Sequence, residues 1–202
     1  MLATAVRGAL PAAVQPAFSN TLSTSGDGSA ACLADLQLHV EVEFSLPLDG
    51  SAVDGRRGSV PSTERLLQVL RRFGYADNAL RPDHLRGMLR GTLRGFMDAV
   101  FAWQGRYFIL DYKSNYLGPT AANYGAADLQ EVMRAHRYDL QLLIYAVALR
   151  RWLRVRGVPA ARPEALYWFI RGIDAPGAGL YHHVPSVEVL DALDAVFNGA
   201  TP

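Results

Sequence analysis

Apolar and polar residues alternate from Leu38 to Leu46 (Leu-His-Val-Glu-Val-Glu-Phe-Ser-Leu), which predicts a half-buried strand ended by Pro47. Residues 61–73 change period: Leu66, Leu67, Val69 and Leu70 recur at helical spacing, with Ser62 as N-cap and Gly74 as stop. Two largely apolar runs, 95–103 and 106–113, flank Gln104-Gly105 and read as a tight hairpin. After a loop over 115–125, the spacing of Leu129, Val132, Met133, Leu140, Leu143, Ile144, Val147 and Leu153 predicts one long helix over 128–155, ended by Gly157 and Pro159. A strand over 165–171, a Gly/Pro loop, and a helix capped by Ser186 and running to Phe197 complete the chain. The sequence carries no internal repeat. The order strand, helix, hairpin, long helix, strand, helix predicts an α/β fold with a central mixed β-sheet flanked by helices.

Composition adds boundaries. Residues 1–36 are rich in Ala, Ser, Thr and Gly and are expected to be a poorly packed N-terminal remnant or linker, leaving 37–202 as one domain. With 202 residues, half of them hydrophobic and 19% charged, the chain has material for a full core and is too apolar to be disordered throughout. Its longest apolar run, 142–149, falls far short of the roughly 20 residues of a membrane span. Arg7, Pro11 and Pro16 interrupt the Ala-rich opening, so no secretory signal is expected and a cytoplasmic location is. A lone Cys32 excludes an internal disulfide and a cysteine-built zinc or iron–sulfur centre. The net charge of +1 creates no overall basic field. Lys113 is the one lysine among 20 basic residues.

The hairpin brings that lysine to two carboxylates. If Gln104 and Gly105 form the turn, cross-strand partners have numbers that sum to 209, so Asp98 faces Asp111 in a non-hydrogen-bonded pair with Cα atoms about 4.5 Å apart. Lys113, two residues on, projects from the same face opposite Phe96. Both strands are otherwise apolar on both faces, as in a sheet covered on each side. Like charges ~5 Å apart at an effective dielectric of ~20 repel by roughly 3 kcal/mol. The pair must therefore share a proton, lean on Lys113 or hold a cation. Two carboxylates plus waters form the donor set from which Mg²⁺ is presented to phosphate oxygens, with Lys113 placed to orient water or stabilise developing charge. Arg is planar and permanently charged whereas Lys is a compact point donor, so the single Lys at this position points to chemistry that Arg would not serve. The alternative is a solvated sheet edge with an ordinary surface ion pair.

The long helix carries a second cluster. Tyr138, Gln141 and Tyr145 stand at i, i+3 and i+7 and share a stripe. A Gln among tyrosines on an apolar face calls for a partner, either a substrate phosphate or a backbone group beside the hairpin.

With these residues in view, the chain resembles the RecB-type C-terminal nuclease domains of the PD-(D/E)XK nuclease superfamily over roughly 38–200. The matching stretches are Val40-Glu-Val-Glu-Phe-Ser-Leu-Pro47, Arg94-Gly-Phe-Met-Asp-Ala-Val-Phe101, Gly105-Arg-Tyr-Phe-Ile-Leu-Asp-Tyr-Lys-Ser-Asn115, Ala135-His-Arg-Tyr-Asp-Leu-Gln141 and Phe169-Ile-Arg-Gly172. The resemblance implies a restriction-endonuclease-like core and Mg²⁺-dependent hydrolysis of DNA phosphodiester bonds, of the exodeoxyribonuclease V type. It implies Asp98, Asp111 and the backbone carbonyl of Tyr112 as metal ligands, and Lys113 as the catalytic lysine. Tyr138, Gln141 and Tyr145 match the helix motif near the centre, and Glu41 matches a strand Glu of the wider family. The implied partners are a DNA strand fed by a helicase on the same parent polypeptide, and companion RecC- and RecD-type subunits, in double-strand-break repair and recombination. The family's metal-binding His lies on a helix upstream of the first matching strand; residues 1–36 contain no histidine, and His39 sits on the strand itself. Two other readings follow: a catalytically dead DNA-binding or subunit-docking fragment, and a stand-alone PD-(D/E)XK nuclease. Arg86, Arg90, Arg94, Arg134 and Arg137 are candidate phosphate contacts in each.

Overall fold

The structure is a computed structural model that describes residues 37–48, 62–77, 80–85, 91–103, 105–173 and 178–199. The N-terminal remnant, the loop over 49–59, Arg86 and Arg90 lie outside the described residues. Five strands, β1 (Gln37–Pro47), β2 (Thr92–Trp103), β3 (Arg106–Lys113), β4 (Glu164–Phe169) and β5 (Leu180–His183), form one sheet in the order β1-β2-β3-β4-β5. The helices are α1 (Thr63–Arg72), α2 (Ala126–Ala135), α3 (Tyr138–Val155) and α4 (Val187–Phe197). β3 runs antiparallel to β2 and parallel to β4, and β4 runs antiparallel to β5. The parallel β3–β4 step needs a crossover, and α2 and α3 lie in the connecting chain. The sheet is mixed, as the element order predicts.

The hairpin register matches the expectation: Ala99 pairs with Leu110, Phe101 with Phe108 and Trp103 with Arg106, each pair summing to 209. Gly105 closes the turn at φ 74°, a conformation that costs little without a Cβ. Ser62 caps α1 by accepting the Arg65 N–H, and Ser186 caps α4 by accepting that of Val189.

Three expectations change. The helix over 128–155 is two helices, broken at His136–Arg137, where Arg137 takes φ 57°, the His136 N–H donates to the Val132 carbonyl and the Arg137 N–H to the Arg134 carbonyl. The apolar spacing reads through this break without a Gly or Pro, so periodicity alone cannot reveal it. The last Gly/Pro loop contains β5, whose Leu-Tyr-His-His sequence has no alternation to announce a strand. The strand over 165–171 ends at Phe169 and passes into a 3₁₀ turn, Ile170–Gly172.

The described residues fall into two compact units. One takes those of Met1–Val42, Asp98–Tyr138 and Glu164–Val184; the other takes those of Glu43–Met97, Asp139–Pro163 and Pro185–Pro202. In the first, Ala99, Phe101, Phe108, Leu110, Leu166 and Trp168 form a buried cluster on one sheet face, and Phe101 stacks on Phe108 at 4.9 Å. Val100 and Ile109 are buried on the opposite face, so β3 is covered on both sides. At the hairpin end, Glu164 is buried and takes both Arg106, with Nε at 2.5 Å, and His182, with Nε2 at 2.9 Å. In the second unit, α1 buries Leu66, Leu67 and Leu70, and α4 buries Leu190, Leu193 and Phe197. Arg150 joins α3 to α4 through Asp191 at 2.6 Å, and Arg151 does so through Asp194 and Asn198.

Candidate functional site

Asp111 lies on β3, the middle strand of five, with Tyr167 of β4 as its parallel neighbour. Its side chain is 5% exposed, and Oδ2 sits 2.5 Å from Lys113 Nζ. That oxygen is closed off from solvent and accepts no other hydrogen bond among the described residues. Burial pushes the Asp111 carboxyl above the usual carboxylate range, with the Asp98 charge acting in the same direction; Lys113 works against both and does not reverse them.

Lys113 is itself enclosed. Its side chain is 11% exposed, and Nζ lies 4.0 Å from the Tyr138 ring centroid and 5.1 Å from that of Tyr167. The two rings and one carboxylate suit a compact ammonium. Tyr138 is fixed by its hydroxyl, which donates to Asn115 Oδ1 at 3.2 Å, and by stacking on His136. The break between α2 and α3 falls at this point, and anchoring Tyr138 offsets the roughly 1 kcal/mol cost of a left-handed arginine.

Asp98 is half-buried on β2, one residue beyond the last regular pair of the hairpin. The Tyr112 N–H, which would otherwise continue the ladder, donates to Asp98 Oδ2 at 2.8 Å. The two strands thus exchange a main-chain bond for a side-chain one beside Asp111. Tyr112 directs its ring outward, 44% exposed, and leans on Trp168 at 5.7 Å.

The Gln141 and Tyr145 pair finds a backbone partner. Gln141 Nε2 donates to the Tyr145 hydroxyl at 2.9 Å, and that hydroxyl donates to the Phe96 carbonyl at 2.8 Å. Tyr145 also meets Phe44 edge-on at 5.4 Å. This ties α3 to β2 two residues before Asp98. Glu41 lies exposed on β1 at φ 50°, and no hydrogen bond or ion pair joins it to the Asp98–Asp111–Lys113 group among the described residues. Sequence reasoning missed Tyr167 and Asn115 as parts of the site. Tyr167 becomes a neighbour only through the parallel pairing, which local pattern does not encode; Asn115 carries a signal, standing two residues after Lys113.

Comparison with known proteins adds family information. The sequence pattern of the PD-(D/E)XK nuclease superfamily matches residues 22–199. The chain is 34% identical over 168 residues to the RecBCD enzyme subunit RecB of Escherichia coli K12, with 80% of this chain covered. It is 41% identical over 114 residues to that of Haemophilus influenzae and 36% over 151 residues to that of Mycobacterium tuberculosis, covering 54% and 66% of this chain. These alignments take up 13%, 9% and 13% of the relatives, so the chain spans only a small part of their length.

Proposed function

Because the chain belongs to the PD-(D/E)XK nuclease superfamily, we propose that it is a Mg²⁺-dependent deoxyribonuclease domain whose reacting centre is Asp98, Asp111 and Lys113. The observation that carries this reading is the buried Asp111 carboxylate, held on the central strand against an enclosed ammonium despite the cost of desolvating it. Ordinary packing gives little reason to keep such a group; buried, perturbed carboxylates of this kind are characteristic of working sites.

The residues present fit a hard divalent cation. Asp111 Oδ2 is a shielded oxygen whose neighbour among the described residues is the Lys113 ammonium, and Asp98 supplies a second carboxylate beside it. No group of three or more His, Cys, Asp or Glu that could hold a metal occurs among the described residues. Waters and substrate oxygens would have to complete the shell, as suits Mg²⁺. Asp98, Asp111 and the Tyr112 carbonyl are the proposed ligands. Bound there, the cation would neutralise phosphate charge and lower the pKa of a water. Lys113 would bring a positive Nζ to the attacked phosphate, orienting water and offsetting the charge that develops. Tyr138 would hold Lys113, while Gln141 and Tyr145 would steady β2 through the Phe96 carbonyl. In the wider proposal the substrate is a DNA strand fed by a linked helicase, cut exonucleolytically with RecC- and RecD-type subunits in break repair. Among the described residues, no helix is long and apolar enough to cross a membrane.

The test is degradation of end-labelled single-stranded DNA with Mg²⁺, repeated with EDTA and with Asp98→Asn. Cleavage should stop with EDTA, and Asp98→Asn should lower it by roughly a hundredfold, the scale of losing one electrostatic contact in a reacting centre. Persistence of full activity in EDTA would refute the proposal.

A second expectation concerns pH. A carboxyl whose folded pKa lies above its ordinary value of 3.8 takes up protons more readily in the folded state. Its contribution to stability therefore falls as pH rises from that value through the folded one. A cation occupies the same oxygens only when the proton has left. Mg²⁺ at about a hundred times its Kd should add about 2.7 kcal/mol, or about 5–10 °C in Tm, at neutral pH and much less near pH ~4. An equal shift at both pH values, read by circular dichroism, would contradict it.

A further inference from the structure

We propose that Tyr116, backed by Arg171, is a stacking platform for an unpaired nucleobase of the DNA strand whose phosphate lies at the Asp98–Asp111–Lys113 group. The inference rests on the nuclease reading above and adds a base-recognising subsite to it. Tyr116 is 66% exposed, the most exposed aromatic side chain among the described residues, and it follows Lys113 by three residues. A ring left in water is usually on loose chain or against a partner; this one stands on a tied segment. On one side Asn115 is held by the Tyr138 hydroxyl at 3.2 Å. On the other, the Leu117 N–H donates to the hydroxyl of Tyr124, a residue only 1% exposed, at 3.1 Å. The ring is therefore presented by fixed backbone, which keeps the ordering cost of binding small.

Arg171 supplies the cation. Its guanidinium lies 6.0 Å from the Tyr116 ring centroid, and its Nε donates to the Ser114 carbonyl at 2.9 Å, one residue after Lys113. Among the described residues its hydrogen bond is made by Nε, which leaves the terminal NH₂ groups for a phosphate oxygen. An aromatic face next to an arginine is the pairing that binds single strands, because every base offers a π-face and every nucleotide a phosphate. The exposed Trp152 differs: Arg156, just past the end of α3, lies over its ring at only 3.6 Å. That face is covered at contact distance, whereas the cation over the Tyr116 ring stands 6.0 Å away and the residue is far more exposed than Trp152.

The test measures binding in EDTA, where no cleavage occurs, with a fluorescein-labelled oligo(dT) of about twelve nucleotides and an abasic strand of the same length. Tyr116→Ala should weaken oligo(dT) binding about tenfold, Tyr116→Phe should stay within about twofold of the parent, and the abasic strand should bind all three alike. Arg171→Ala should weaken both strands and flatten the salt dependence. The proposal is overturned if Tyr116→Ala binds oligo(dT) as the parent does, if it loses as much on the abasic strand, or if the parent binds neither. Adding Mg²⁺ separates this from the nuclease reading. Base-dependent binding without cleavage would sink the nuclease reading alone; cleavage with Tyr116→Ala binding as the parent does would sink only the platform.

Discussion

Asp111→Asn is expected to abolish Mg²⁺-dependent DNA cleavage, a loss of more than about a thousandfold, while changing DNA affinity by less than about threefold. The asparagine keeps size and one oxygen but removes the charge that Lys113 answers to and that the proposed divalent cation would need. The fold should tolerate it. Burial already disfavours the ionised carboxyl, so neutralising it relieves a desolvation cost, while Lys113 loses its counter-charge; the two effects oppose each other. A Tm close to that of the parent together with absent cleavage is the expected pair of results. Lys113→Arg should behave almost as badly, because a longer, delocalised guanidinium cannot place a point charge where the ammonium meets Asp111 and the Tyr138 and Tyr167 rings. Cleavage by Asp111→Asn within tenfold of the parent would remove the central carboxylate from the chemistry.

Gly172→Ala is expected to destabilise the fold by about 3 kcal/mol, the upper part of the range for forcing atoms into a packed site. A Cβ at this position would come within 2.5 Å of Cβ and Cγ of Tyr124. Those atoms lie near the backbone of a buried residue and cannot swing aside as a long side-chain tip would. The neighbouring Gly179 N–H also binds the Tyr124 carbonyl at 3.0 Å, which limits how far that segment can retreat. The Tm should fall by about 6–12 °C, and the urea midpoint should drop with the slope unchanged. Since Tyr124 also tethers Leu117, oligo(dT) binding should weaken as well. A Tm within about 2 °C of the parent would show that the turn yields where the packing says it cannot.

Much of this was legible in the sequence, for reasons particular to each element. A two-residue turn and a period of two leave a hairpin little freedom, so the pairing from Trp103–Arg106 to Ala99–Leu110 could be counted before any coordinates. The count stops being a guide one step further on, where the Asp98 side chain takes the Tyr112 N–H. Gln141 announced that it needed a partner, and the Phe96 carbonyl reached through Tyr145 was one of the two kinds expected. The interruption at His136–Arg137 was hidden because Leu129, Met133, Leu140 and Ile144 keep helical phase across it. β5 was hidden because four residues of Leu-Tyr-His-His make a strand only by pairing with β4. Tyr167 was hidden because its approach to Lys113 depends on which distant strand lies alongside β3.

The central place of β3 has a consequence for biosynthesis. One wall around Lys113 comes from β4, whose first residue is Glu164, more than 50 positions after Asp111 in the chain. During translation the acidic residues and the lysine leave the ribosome well before that wall exists. A nascent polypeptide halted between them would carry Asp98, Asp111 and Lys113 without the β4 ring beside the ammonium. Under the nuclease reading proposed above, cleavage is expected to appear late and abruptly, once the fourth strand docks.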